Sequence, residues 1–395
     1  MSTHTSRRTS SRHNPTISSS SSSSHHISNK PSSHTNQQQP NPSSSPPTSV
    51  HASAEGTGHP LKRVRRKDTI ESLITRPPLL VRPALAQLRY HVLMDGLRVT
   101  PPQAPGDPET GLCAYRPYVW SILLRVSPAD LPAEKYVALV RKGASPAYTK
   151  IRNDTFRTFT TDAVFRSRVS ENALVRVLNA VAWQRHLCAD PEQPAPAPEF
   201  LYVQGMNVLA APFLYQCKTE AQAFALFYTF LSRDCPLYVV PTLEGAHTGL
   251  KLVDKCLEII DPALFDHLQS KLLTAELYAF TSVLTFSAGT PPLSQALVLW
   301  DFLFAYGPHL NVLFVIAQLT LMRSHLFEAQ SPMTLLRNFP PLQAQEIIKL
   351  AISFVPLLPD WLYDLLVRHP FDPAVSSQLA ARSLRSRSSR INMKK

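Results

Sequence analysis

Glycine is scarce, at 11 of 395 residues. So few glycines exclude a Gly-rich phosphate-binding loop and a hairpin-dense β fold. The hydrolase and nucleotide-site signatures GxSxG, HExxH and GxxxxGK[ST] are absent as well. The five cysteines, Cys113, Cys188, Cys217, Cys235 and Cys256, contain no CxxC pair and no metal-ligand rhythm with histidine. They are expected to be buried thiols in a reducing compartment. Long apolar runs are lacking too. The polar N-terminus carries no secretory h-region. The longest apolar helix candidate, LNVLFVIAQLTLM (310–322), is interrupted by Asn311, Gln318 and Thr320 and is too short to span a bilayer. The expectation is a soluble, intracellular protein with no transmembrane segment.

Acidic residues are missing from the two ends. The formal charge is +12, yet residues 1–67 hold nine Lys/Arg and one acid, and residues 374–395 hold six Lys/Arg and none. The remaining 68–373 carry 25 basic and 27 acidic residues, a net −2. The basicity belongs to the tails, and no aromatic-basic stripe accompanies it, so no specific nucleic-acid partner is expected.

What is present divides the chain in three. Residues 1–67 form a Ser/His/Pro-rich basic tail with seven consecutive serines at 18–24. Such a segment cannot bury enough apolar surface to offset its chain entropy, so disorder is expected. It closes on LKRVRRK (61–67), which reads equally as an import signal, an anionic docking patch or a solvated charge run. Residues 68–373 read as one long all-α domain, large enough for two packed helical lobes. Residues 374–395 are a basic C-terminal tail. Apolar periodicity predicts helices at 68–74, 83–96, 115–126, 154–168, 171–187, 205–217, 219–232, 246–260, 262–269, 272–287, 293–306, 309–328, 342–354 and 360–368, with DPEQPAPAPE (190–199) as a loop.

Three stretches carry polar residues that packing does not require. In IRNDTFRTF (151–159), Asp154 and Arg157 lie three apart and share a face if helical, with Phe156 and Phe159 directed inward. A solvated i,i+3 ion pair has the same pattern. In YVQGMN (202–207), Gln204, Gly205 and Asn207 interrupt an apolar run; Gly205 permits close approach of another backbone or a partner. A polar helix start with locally satisfied amides fits equally well. The third stretch is FSAGTPPLSQALVLWDFLFAYG (286–307), whose Trp300 is a core residue by type.

In that order, and with RPYVW (116–120) upstream, these elements resemble the TBC domain, the helical GTPase-activating domain best known for acting on Rab proteins. The likeness covers about 85–370. Within the family the phrases resemble most the fungal mitotic-exit and septation checkpoint activators, which act with a separate partner subunit on a Ras-superfamily GTPase at the spindle pole body.

The resemblance implies an activator that supplies catalytic groups in trans to a small Ras/Rab-superfamily GTPase and has no reaction of its own. Arg157 would be the arginine finger and Gln204 the glutamine finger. Asp154 would hold the guanidinium, Tyr202 would hydrogen-bond across to that helix, and Gly205 would keep the surface beside Gln204 clear. Arg116, Trp120, Trp300 and Asp301 would be structural. No cofactor belongs to this chain, since Mg²⁺ and GTP are carried by the GTPase. A cytoplasmic or cytoskeletal location follows, including the spindle pole body. The alternative is a non-catalytic TBC scaffold, which has no need of both Arg157 and Gln204.

Overall fold

Four helices among the described residues start at a side-chain cap. Ser170 accepts from the Ala173 amide at 3.1 Å, Asp162 from Phe165 at 2.8 Å, Thr219 from Gln222 at 3.2 Å and Asp261 from Leu264 at 3.0 Å. Each satisfies a backbone donor that a helix end leaves free. The computed structural model describes residues 81–102, 109–126, 132–189 and 197–382, all within one compact unit. The N-terminal tail, the expected helix at 68–74 and most of DPEQPAPAPE lie outside the described residues, as does the tail beyond 382.

The helices in chain order are α1 Val81–Asp95, α2 Arg116–Leu123, α3 Ala133–Arg141, α4 Tyr148–Thr155, α5 Ala163–Arg168, α6 Glu171–Leu187 and α7 Pro198–Leu201. Then come α8 Met206–Gln216, α9 Glu220–Thr229, α10 Glu244–Ile260, α11 Pro262–Ser270, α12 Ala275–Tyr278 and α13 Phe280–Leu284. The series closes with α14 Leu293–Tyr306, α15 Asn311–Leu321, α16 Arg323–Glu328, α17 Pro332–Leu336, α18 Ala344–Phe354 and α19 Asp360–Arg368. Among the described residues there is no β-strand, and no helix is long and apolar enough to cross a membrane. The expected all-α class holds.

In the first half α6 packs on α3, α4, α8 and α9; in the second α15 packs between α10 and α18, and α14 on α1 and α18. The two lobes expected from length share one hydrophobic core. Trp120, Phe213, Phe230, Trp300 and Phe304 join them, with ring centroids 5.0–6.1 Å apart in edge-to-face, tilted and stacked contacts. Beside them lies a fully buried ion pair. Arg116 Nε donates to Asp301 Oδ1 at 2.8 Å and Nη2 to Oδ2 at 2.9 Å; Trp120 Nε1 donates to the same carboxylate at 2.7 Å. The structural role expected of Arg116, Trp120 and Asp301 follows from this contact, and that of Trp300 from the aromatic cluster, with its Nε1 donating to the Phe286 carbonyl at 2.9 Å.

Several expectations need correction. Of the helix expected over 154–168 only the ends are helical: Asp154 and Thr155 close α4, which begins at Tyr148, and 163–168 form α5, with a turn at 156–161 between them. Phe159 sits there at φ +48, and Asp162 restarts the chain as a cap. A run of β-branched threonines favours the interruption, because it loses side-chain freedom in a helix. The helix expected at 272–287 likewise breaks at Ala279, and that at 309–328 breaks at Met322. Helices α3, α7 and α17 were not among those expected, and α7 takes Pro198 and Glu199 from the expected loop; α3 buries only Tyr136 and Leu139, too sparse a face to announce itself. The ordered fold also runs past 373. Residues 374–382 are helical, Val375 and Leu379 are buried, and Arg382 lies over the Trp361 ring at 4.7 Å. Of the cysteines, Cys113, Cys235 and Cys256 are buried, but Cys188 is exposed. Burial pushes the Cys256 thiol up to about 12, an inert thiol at neutral pH.

The core carries titratable groups with a consequence for acid stability. Burial holds the His369 imidazole down to about 4, with Nδ1–H donating to the Leu366 carbonyl at 2.6 Å and Tyr238 donating to Nε2 at 2.8 Å. Burial, with His369 nearby, holds His309 down to about 3. The unfolded chain therefore binds more protons below the ordinary value of 6.5, so this contribution is complete above pH 6.5 and is lost as pH falls toward 4 and 3. Asp254 runs the other way. Burial raises its carboxyl to about 6, so its contribution is present below 3.8 and lost as pH rises through 6. Burial also raises the Asp301 carboxyl, against the Arg116 charge beside it, in the same sense as Asp254, but the two histidines carry the larger shifts. The thermal midpoint is expected to fall between pH 7 and pH 5, by a stability loss of roughly 2 kcal/mol. A midpoint flat or rising over that interval contradicts the assignment.

Candidate functional site

The site is built on two chain reversals. The first follows α4. Ile151, Asp154, Thr155 and Thr158 face the core, while Arg152, Asn153, Phe156 and Arg157 face outward. Arg157 thus lies just beyond the helix, with its side chain 59% exposed and paired through Nη2 to Asp154 Oδ1. The i,i+3 partnership expected from spacing is present, made across a helix end.

The second reversal precedes α8. The Met206 amide donates to the Val203 carbonyl at 3.2 Å, closing a turn with Gln204 and Gly205 at its centre. Gly205 has φ +102, the left-handed geometry that the third residue of a type II turn requires. Gln204 is therefore lifted to the exposed apex, ahead of the helix rather than within its first turn. Gly205 itself is buried. A Cβ there would meet Leu284 Cδ2 at 2.9 Å, so its role is to admit α13 closely and to adopt positive φ. That corrects the expectation that it clears the outer surface. Met206 anchors inward, 1% exposed.

The reversals are tied together beneath the surface. Tyr202, fully buried, donates to Asp154 Oδ2 at 2.9 Å. Burial, followed by the neighbouring Asp154 charge, pushes the Tyr202 phenol far up, so it remains a proton donor. Asn207 links the rest. Its Nδ2 donates to Thr158 Oγ1 at 2.8 Å and to the Asp154 carbonyl at 3.4 Å, and its Oδ1 accepts from the Gly205 amide at 3.2 Å. Asp154 thus has one carboxylate oxygen on Arg157 and the other on Tyr202, which satisfies a charge that is almost wholly out of water. Asn207 and Thr158 were not singled out from sequence as site residues. The signal for Asn207 was its place, three residues after Gln204, as a polar residue on an otherwise apolar helix.

Arg157 and Gln204 line one open cleft of about 480 Å³. Phe280, Thr281, Leu284 and Leu293 line it as well. The structure thus brings Arg157, Gln204, Asp154, Tyr202 and Gly205 together. Only the first two offer exposed side chains, one a fixed cation and the other a neutral amide able both to donate and accept.

The described residues are helical and present an arginine and a glutamine in one cleft. The profile of the Rab-GTPase-TBC domain family matches residues 113–327, and this chain belongs to that family. It is 48% identical over 303 residues to "Cell division control protein 16" of Schizosaccharomyces pombe, covering 77% of this chain and 94% of that protein. It is 45% identical over 309 residues to "Mitotic check point protein BUB2" of Saccharomyces cerevisiae, covering 78% and 98%. The crystal structure of the Ypt/Rab-GAP domain of Gyp1p superposes with a TM-score of 0.54 at 18% identity, over 71% of this chain and 92% of that one. That likeness supports the fold.

Proposed function

We propose that this chain is a GTPase-activating protein that supplies Arg157 and Gln204 in trans to a small Ras/Rab-superfamily GTPase, and so restrains mitotic exit or septation. The observation that carries the reading is the shared cleft: two side chains 47 positions apart in sequence stand exposed on one surface over a buried hydrogen-bonded base. A slow GTPase lacks stabilisation of charge on the transferred phosphoryl group and a well-aimed water. A guanidinium, always charged and forked, meets the first need. A carboxamide meets the second, its oxygen accepting from water while its NH₂ donates toward phosphate. GTP and Mg²⁺ arrive with the GTPase.

The cell-cycle part of the reading rests on the names of the two relatives. A separate activator subunit and a place at the spindle pole body belong to the same proposal. The test is a single-turnover hydrolysis panel across Rab-like and septation-type GTPases, with and without a candidate partner subunit. At least one GTPase is expected to be accelerated. Binding without acceleration of any of them, under both conditions, would favour a non-catalytic scaffold instead.

A further inference from the structure

Phe156 is 75% exposed, against the expectation that it points inward. The reason is helical geometry. Ile151, Asp154, Thr155 and Thr158 define the buried face, and position 156 falls opposite it, one turn on from exposed Arg152. The second phenylalanine of the stretch takes the inward place. Phe159 packs on Phe165, ring centroids 5.0 Å apart. A phenylalanine so fully in water forgoes the stabilisation that burial would bring, and it stands directly beside the exposed Arg157.

The surroundings identify what covers it. The turn at 156–161 separates the cleft of Arg157 and Gln204 from a second groove of about 430 Å³ that Phe156 lines with Phe165, Val169 and Leu174. The two concavities share Thr158 and Thr160, so they meet along one ridge. Phe156 directly precedes Arg157 across that ridge, so a protein partner that covers the cleft and extends over the ridge meets it. Arg152 on the same face is already paired with Glu171 at 3.2 Å, which leaves Phe156 as the large apolar group of the ridge.

We infer that Phe156 is a docking residue for the GTPase, an apolar anchor seated against an apolar surface next to the bound nucleotide. This rests on the activator reading above. Phe156 holds the partner while Arg157 acts on the phosphate, so the two neighbours divide affinity and rate between them. Exposed aromatic residues at the centre of an interface are those whose truncation costs most.

The experiment compares the full chain with Phe156→Ala and Phe156→Leu in stimulated hydrolysis, titrating the GTPase that responds in the panel. Phe156→Ala is expected to raise the half-saturating concentration about tenfold while leaving the saturated rate within twofold, and Phe156→Leu to recover most of the loss. Thermal midpoints of both variants should match the parent, because the side chain packs on little. An unchanged half-saturating concentration alongside strong stimulation overturns the docking role and leaves the activator reading standing. A fall in saturated rate alone also overturns it. If the parent accelerates no GTPase, both readings fall together.

Discussion

Arg157→Ala is expected to leave GTPase binding nearly intact and to lower the saturated rate of stimulated hydrolysis by about 10³-fold or more. An arginine finger contributes about 10³–10⁵ in rate, or roughly 4–7 kcal/mol of transition-state stabilisation. The structure makes the variant clean. The side chain is 59% exposed and its one ion pair is the i,i+3 contact to Asp154. The pair is open to solvent only on its arginine side, so removing the guanidinium costs about 1 kcal/mol or more of stability, because the Asp154 carboxylate stays buried. Asp154 keeps the Tyr202 hydroxyl at 2.9 Å when the guanidinium is gone. Arg157→Lys should lose most of the rate too, because a point charge cannot reproduce the planar fork. Measured at saturating activator in single turnover, a rate for Arg157→Ala within twofold of the parent sinks the finger assignment.

The largest effect on stability belongs to a different pair. Asp301→Ala strands the Arg116 guanidinium, which is fully buried, and leaves the Trp120 indole N–H without its acceptor at 2.7 Å. Breaking one half of a buried ion pair costs about 3–5 kcal/mol, a large share of the 5–15 kcal/mol that a domain has. The contact also ties α2 to α14, through the aromatic cluster that joins the two halves of the core. The thermal midpoint is expected to drop by roughly 10 °C. Replacing both partners by apolar residues of similar volume, Arg116→Met with Asp301→Leu, should cost less than either single change, since no charge is then left unpaired. An Asp301→Ala protein within 1 kcal/mol of the parent in denaturant unfolding contradicts this account of the core.

The parts of this fold legible in the sequence were those that depend on local order. Helix α6 lies where its apolar period and the Ser170 cap put it, and α8 and α14 begin within a residue of expectation. Arg157 and Gln204 were legible as polar residues in apolar surroundings whose order along the chain resembles a family pattern. What was not legible depends on contacts made across the fold. Phe156 and Phe159 are the same residue type three positions apart; the geometry of α4 leaves Phe156 outward, and the break after Thr155 turns Phe159 onto Phe165. Gly205 looked like clearance for a partner until Leu284 was seen against it. Asn207 is a hub because Thr158 and the Asp154 carbonyl, 49 and 53 residues away, come within its reach. No spacing along the chain encodes that convergence.

The central claim is that this chain brings both fingers. It is tested most directly with a GTPase whose own water-positioning glutamine has been replaced by alanine or leucine. If Gln204 aims the attacking water, the parent protein should still accelerate hydrolysis by that substituted GTPase, and Gln204→Ala should abolish the acceleration. Complete loss of stimulation with the substituted GTPase, or undiminished stimulation by Gln204→Ala, would contradict the claim.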